Sequence, residues 1–363
     1  MKRAGTVGLI AASLAAAMAL SSCTSFGAQA LQANRKPYNV AIQSTNDEQM
    51  LLNLARLRYR DTPFFLQVTS VATQFVFNPS AEVSGDLAES GPGKLGLKAG
   101  VAYEENPTIT YSPLQGNEFV ERLLSPIPVE TVLLLFHTGW SIERILRVCV
   151  QRLNNVKNAP SASGPTPTYV PEYEDFAKVA KAFRLLQRRD ALIIGYEQRD
   201  GARVLVMRIR GDAVTWPETR LIARKLGLLE GRDRYTVVPH RVTEGEDRIG
   251  METRSIMGVL SYLSQGVEVP AADEERGVVT VTRYEDGRAF DWANVTGNLL
   301  RVRSQATRPA QAAVTVNYRG HWFYIDDADL QSKSTFALLA QLFALQAGKI
   351  ERIQPLFTLP LGR

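Results

Sequence analysis

Two cysteines and three histidines are all the thiol and imidazole ligands in 363 residues. His137, His240 and His321 stand far apart and none belongs to a paired motif. A structural zinc site needs about four convergent ligands, so no metal-binding residue is assigned. The scarcity of thiols also rules out a disulfide framework. There is no Gly-x-Ser-x-Gly elbow for a serine nucleophile and no phosphate loop ending in Gly-Lys-Ser/Thr. Gly91-Pro92-Gly93-Lys94-Leu95-Gly96 matches the glycine spacing of a dinucleotide site, but the polar stretch Glu82–Ser90 before it is not the strand that such a site requires. It reads as a loop. Glu82, Glu89, Glu104 and Glu105 are spaced as loop carboxylates of no particular pairing. A formal net charge of +5 is too small for a nucleic-acid footprint. No catalytic residue, cofactor-binding residue or nucleic-acid partner is therefore assigned.

The N-terminus is the most informative part of the chain. Lys2 and Arg3 precede an apolar run from Val7 to Leu20, and small residues follow. A positive end, a short hydrophobic run and a small-residue exit are the layout of a secretory signal peptide. The run is shorter than the roughly 20 residues of a bilayer-spanning helix. Leu20-Ser21-Ser22-Cys23 resembles the lipobox of bacterial lipoproteins, in which an aliphatic and two small residues precede the cysteine that carries the lipid. That resemblance implies removal of residues 1–22, lipid attachment at Cys23 and export. Thr24, in place of the aspartate that retains lipoproteins in the inner membrane of enteric bacteria, implies an outer-membrane anchor facing the periplasm. Two or three acyl chains hold a protein to a membrane stably, whereas one does not. With Cys23 acylated, Cys149 has no disulfide partner and reads as a buried apolar thiol.

Residues 23–37 are small and polar and suit a lipidated tether. An N-terminal region is expected over 38–158. In it, Thr45-Asn46-Asp47-Glu48 has the form of a capping box that starts a helix carrying Met50, Leu51, Leu54 and Leu57. Phe64 to Phe77 reads as strand, and alternation through Thr108-Ile109-Thr110-Tyr111 predicts a long hairpin or Gly-rich flap. Helices are expected over 117–124, 129–137 and 142–154. Residues 159–170 have three prolines and no bulky apolar side chain before Tyr169, which predicts a linker or exposed loop that joins no core. A C-terminal region over 171–363 alternates helices with hairpin-linked strands and ends in a helix capped by Asp329. It forms either a second domain or one domain with the first. Hydrophobic content of 45% supports a buried core, and the mixture predicts an α+β fold with mostly antiparallel strands.

Two kinds of surface feature remain. Arg184, Arg188 and Arg189, and again Arg301, Arg303 and Arg308, are close enough in sequence to meet phosphate, although solvated helix and strand faces are the favoured explanation. The segment Asn317–Asp327 concentrates aromatics on consecutive residues. The simpler reading is a central hairpin covered on both faces. The functional one has a single face on the core, with Trp322 and Tyr324 offered to a partner. This segment with Leu330–Gly348, and the stretch Asn46–Gln74, resemble parts of an uncharacterised group of Gram-negative envelope lipoproteins. The resemblance implies location and transfers no site residue. The expectation is a lipid-anchored envelope protein that binds other envelope components. The alternatives are an envelope hydrolase acting on peptidoglycan or glycan, which requires a polar cleft, and a lipid carrier, which requires a deep apolar cavity.

Overall fold

The computed structural model describes residues 26–85, 95–114, 116–199, 201–239 and 245–347. Side chains are described from residue 36 onward, apart from 69–70, 72–85, 95–107 and 347. The fold is α+β, with helices and three sheets whose strands are antiparallel but for one pair. Two compact units are distinguished, and the chain passes between them more than once.

The first unit comprises Met1–Asp61, Gly164–Pro171 and Leu260–Ala340. It contains α1 (Phe26–Arg58) and a sheet of β9 (Arg303–Gln305), β10 (Ala312–Tyr318) and β11 (His321–Asp326) in the order β10-β11-β9. Met50, Leu51, Leu54 and Ala55 recur at helical spacing and are buried, which seats the second half of α1 on β10 and β11. The expected helix start at Thr45 is not one: α1 runs through it, with Pro37 inside. The Thr45 hydroxyl donates to Ile42 O at 2.9 Å and Ser44 donates to Glu48, so these side chains bond within the helix instead of ending it.

The second unit comprises Thr62–Ser163, Glu172–Val259 and Gln341–Arg363. It opens with the hairpin of β1 (Leu66–Gly85) and β2 (Leu95–Pro113), a two-stranded sheet of its own. Three helices follow, α2 (Asn117–Leu124), α3 (Val129–His137) and α4 (Ile142–Cys149), after which the chain turns directly into β3 (Val150–Leu153). The third helix is thus shorter than expected, because Val150 and Leu153 are buried as strand residues. With β4 (Val156–Lys157), β5 (Leu192–Arg199), β6 (Ala202–Ile209), β7 (Arg234–Pro239) and β8 (Arg248–Thr253), β3 builds a sheet ordered β4-β3-β8-β7-β6-β5. The pair β7–β8 is parallel. Helices α5 (Glu174–Arg188) and α6 (Pro217–Leu226) pack on one another, and α5 also packs on α4. Gly227 ends α6 at φ 66°, a left-handed C-cap for which glycine has no Cβ penalty.

The stretch read as a linker is built into the structure. Ala159, Ala162 and Thr166 are buried, and Pro160–Ser163 forms a short 3-10 turn. The bulk that residues 159–163 lack comes from Arg254, 1% exposed. Its guanidinium donates to Val150 O at 2.8 Å, to Arg147 O at 3.2 Å, to Asn158 O and to Ser163 Oγ at 3.1 Å. Two of those carbonyls belong to the last turn and end of α4, where a cation is favoured by the helix dipole.

Candidate functional site: the two faces of a three-stranded sheet

Directly opposed residues in an antiparallel sheet share a face. Val316 faces Phe323, Val314 faces Ile325 and Tyr318 faces His321, which defines the inner face of β10–β11. Phe323 and Ile325 are fully buried there, and Tyr59, which follows α1, meets Phe323 edge-on at 6.3 Å. The other face carries two rows, Gln305–Trp322–Asn317 and Arg303–Tyr324–Thr315. Trp322 and Tyr324 are half-buried and Asn317 is exposed. Period-two alternation thus gives β11 one fully buried face and one that is covered only in part. Arg308 lies over the Trp322 ring at 5.3 Å, and Arg303 donates to Asp326 at 3.0 Å beside Tyr324.

The inner face ends in a polar network drawn from three distant parts of the sequence. Tyr59 donates its phenolic proton to Asp273 at 2.6 Å, and Arg276 holds the other carboxylate oxygen. Asp273, on the short helix α8 (Ala271–Glu275), is 2% exposed. Tyr59 and Arg276 hold its carboxyl below the usual carboxylate range, with His321 adding positive charge nearby. Burial and the negative neighbour push the Tyr59 phenol up. Asp61 accepts from Tyr318 and from Arg319, whose guanidinium also sits 4.8 Å above the Tyr59 ring. Both groups of the Tyr59–Asp273 pair are driven away from neutral pH, so the pair fixes the end of α1 and is unsuited to proton transfer there. His321 Nδ1 is buried with no hydrogen-bond partner among the described residues.

The other residues singled out in the sequence are dispersed. Cys23 and Thr24, the glycine pattern 91–96 except for its last two residues, Glu89 and His240 lie outside the described residues. The hairpin places Glu82 opposite Lys98 and puts Glu104 and Glu105 at successive positions of one strand. Cys149 is fully buried, and burial pushes its thiol up to about 12. In the acidic run each carboxylate has local work: Asp326 takes Arg303, Asp327 takes Lys333, and Asp329 caps α10 (Leu330–Ala347) through the Ser332 amide and hydroxyl. Among the arginines, Arg184 is bound to Gln187, Arg189 to Glu218 and Arg301 to Glu268, which leaves no converging cationic clamp of these groups. Among the described residues no group of three or more His, Cys, Asp or Glu converges as a metal cage.

An apolar cavity of about 40 Å³ lies in the second unit among Val132, Leu146, Phe183, Leu205, Met207 and Ile249. A cavity of about 150 Å³ is needed to hold one benzene, so this one admits no acyl chain. Its lining carries no group that could cut a glycosidic or peptide bond. Among the described residues, no helix is long and apolar enough to cross a membrane. Comparison with known proteins returns no match: no family model, curated protein or solved structure is similar to this chain.

Proposed function

We propose that this chain is a lipid-anchored envelope protein, attached through Cys23 to the outer membrane and facing the periplasm, that acts by binding another envelope protein. The observation that supports the binding role is the alternation of burial along β11. Phe323 and Ile325 fill the core, while Trp322 and Tyr324 occupy the opposite face between Arg303 and Arg308. Tryptophan, tyrosine and arginine are the side chains that recur as anchors of protein interfaces, because each offers large contact area with a polar handle. The anchor rests on the signal-peptide and lipobox residues alone. The hydrolase alternative gains no support from the small apolar cavity or from the dispersed carboxylates.

Photo-crosslinking in cells tests both parts. A photoreactive residue at Tyr324 is expected to trap a discrete partner, whereas one at the exposed Gln198 on β5 traps none. Equal adducts at the two positions, or none at Tyr324, sink the binding surface. The Cys23→Ser protein is expected to lose metabolic labelling by a fatty acid. Label that persists on it sinks the anchor.

A further inference from the structure

The turn between β10 and β11 fixes which backbone groups of β10 are used inside the sheet. Arg319 and Gly320 both have positive φ, 51° and 80°, as a type I′ two-residue hairpin requires. Tyr318 and His321, which close it, are therefore a hydrogen-bonded pair, and antiparallel strands alternate such pairs with non-bonded ones. Val316 then exchanges its amide and carbonyl with Phe323, while those of Thr315 and Asn317 point away from β11. β10 is the last strand on that side of the sheet. Among the described residues no turn, loop or cap takes up the backbone N–H or carbonyl of Thr315 or Asn317. Ala313 and Asn317 are exposed. Val316 and Tyr318 lie on the core face, yet they stay partly exposed where the adjacent Phe323 is fully buried. Only one of their flanks has a neighbouring strand.

Edge strands are usually blunted by a charge, a proline or extreme shortness. Ala312–Tyr318 has neither a charge nor a proline in seven residues, and its one irregularity stands at the start, between Ala312 and Val314. Such an edge accepts another extended strand, and three features make that strand a second β10. A two-fold contact is self-complementary, so any charge at its axis would face its own copy, and β10 carries none. With the axis at Thr315, the outward amide and carbonyl of each Thr315 meet those of the other, N–H to carbonyl in both directions. The same register sets Val314 opposite Val316 on the core face, which covers the open flank, and Thr315 opposite Thr315 on the other, a favourable cross-strand pair.

We propose that β10 pairs antiparallel with β10 of a second copy about a two-fold axis at Thr315, joining two three-stranded sheets into one of six strands. Trp322 and Tyr324 of both copies then share one face of that sheet, which makes the aromatic surface bivalent. Seven residues of strand make less than a standard interface, so the dimer is weak and its population rises with protein concentration. The pairing goes beyond the partner-binding role and stands without it.

Sedimentation equilibrium of the full chain carrying Cys23→Ser tests the pairing with no lipid to drive association. A monomer–dimer equilibrium is expected. Thr315→Lys and Thr315→Glu each set like charges together at the axis and should raise the dissociation constant at least about tenfold, whereas an equimolar mixture of the two should return to within about threefold of the parent. Thr315 lies on the face away from the core, so both variants are expected to fold. Thr315→Cys should form a disulfide-linked dimer under mild oxidation, because a bonded antiparallel pair holds its Cα atoms about 5.5 Å apart, within reach of a disulfide. Gln198→Cys, exposed on β5, should link far more slowly, and buried Cys149 does not compete. A chain that stays monomeric up to its solubility limit overturns the proposal. So does a dimer that Thr315→Lys leaves intact, or one linked no faster through residue 315 than through 198, since the copies then meet elsewhere.

Discussion

Adjacent residues on β11 make the sharpest comparison that this fold allows. Phe323 is fully buried against Tyr59 and Tyr318, whose ring centroids stand 6.3 and 6.4 Å away. Truncating such a phenylalanine removes its transfer free energy and leaves a cavity in a close-packed interior, a loss of about 3–5 kcal/mol. Trp322 has the larger side chain but stays partly exposed, with the Arg308 guanidinium over its ring, a contact worth about 0.5–1 kcal/mol at an exposed site. We expect Trp322→Ala to cost about 1–2 kcal/mol, the ordinary range for a partly buried position. A unit of this size loses about 2–4 °C of melting temperature per kcal/mol. Phe323→Ala should therefore melt roughly 6–20 °C below the parent and Trp322→Ala only a few degrees below it. Thermal and urea unfolding of the purified chain, followed by circular dichroism, measure both. If Trp322→Ala costs as much as Phe323→Ala, the second face of the sheet is covered as well and the two-faced account of β11 is wrong.

Two further outcomes follow from the buried polar groups. Arg254→Met removes a guanidinium from five carbonyl and hydroxyl acceptors and is expected to cost at least about 3 kcal/mol and to open residues 159–163 to proteases; a loss under about 1 kcal/mol, with unchanged cleavage, refutes its role as filler of that segment. Asp273 has a folded-state carboxyl held below its unfolded value near 3.9, so its contribution is present at neutral pH and disappears as the pH falls below about 4 through the folded value. Asp273→Asn should be less stable at pH 7 and lose less on acidification, and urea midpoints of the two proteins that fall in parallel below pH 4 would show that Asp273 is not coupled to folding.

Local rules reached as far as local forces decide. The 3.6-residue spacing of Met50, Leu51 and Leu54 marked the buried face of α1, and Asp329 marked the start of α10, because both signals act within one turn. The capping box at Thr45 failed for the converse reason. A hydroxyl that can end a helix can also bond back to Ile42, and the flanking residues decide between the two. The small-residue segment 159–163 misled more deeply. Absence of bulky side chains excludes a core only if nothing else fills the space, and here a single arginine from residue 254 does. No local pattern announces that an arginine ninety residues away is the filler. The helix-to-strand change at Val150 is of the same kind, since its partner β8 lies at 248–253.

The aromatic segment was legible as unusual but not as one-faced. Period two alone assigns Trp322 and Tyr324 to one side and Phe323 and Ile325 to the other, yet it does not say whether the first side meets another layer. That depends on β9 being only Arg303–Gln305 long and on Arg308 lying above Trp322, both consequences of tertiary placement. The Tyr59–Asp273–His321 network was invisible for a related reason: its members are more than two hundred residues apart at the extremes, and each residue type is ordinary by itself. The β1–β2 ribbon reverses the relation. Its alternation is irregular along either strand, interrupted by Pro79, Gly96 and Gly100, and only the register shows that Phe77 stands opposite Tyr103, Glu82 opposite Lys98 and Glu105 opposite Phe75. Amphipathicity in a hairpin is a property of the pairing. A strand read alone understates it, and the two-stranded ribbon is therefore where structure adds most to what the residues imply.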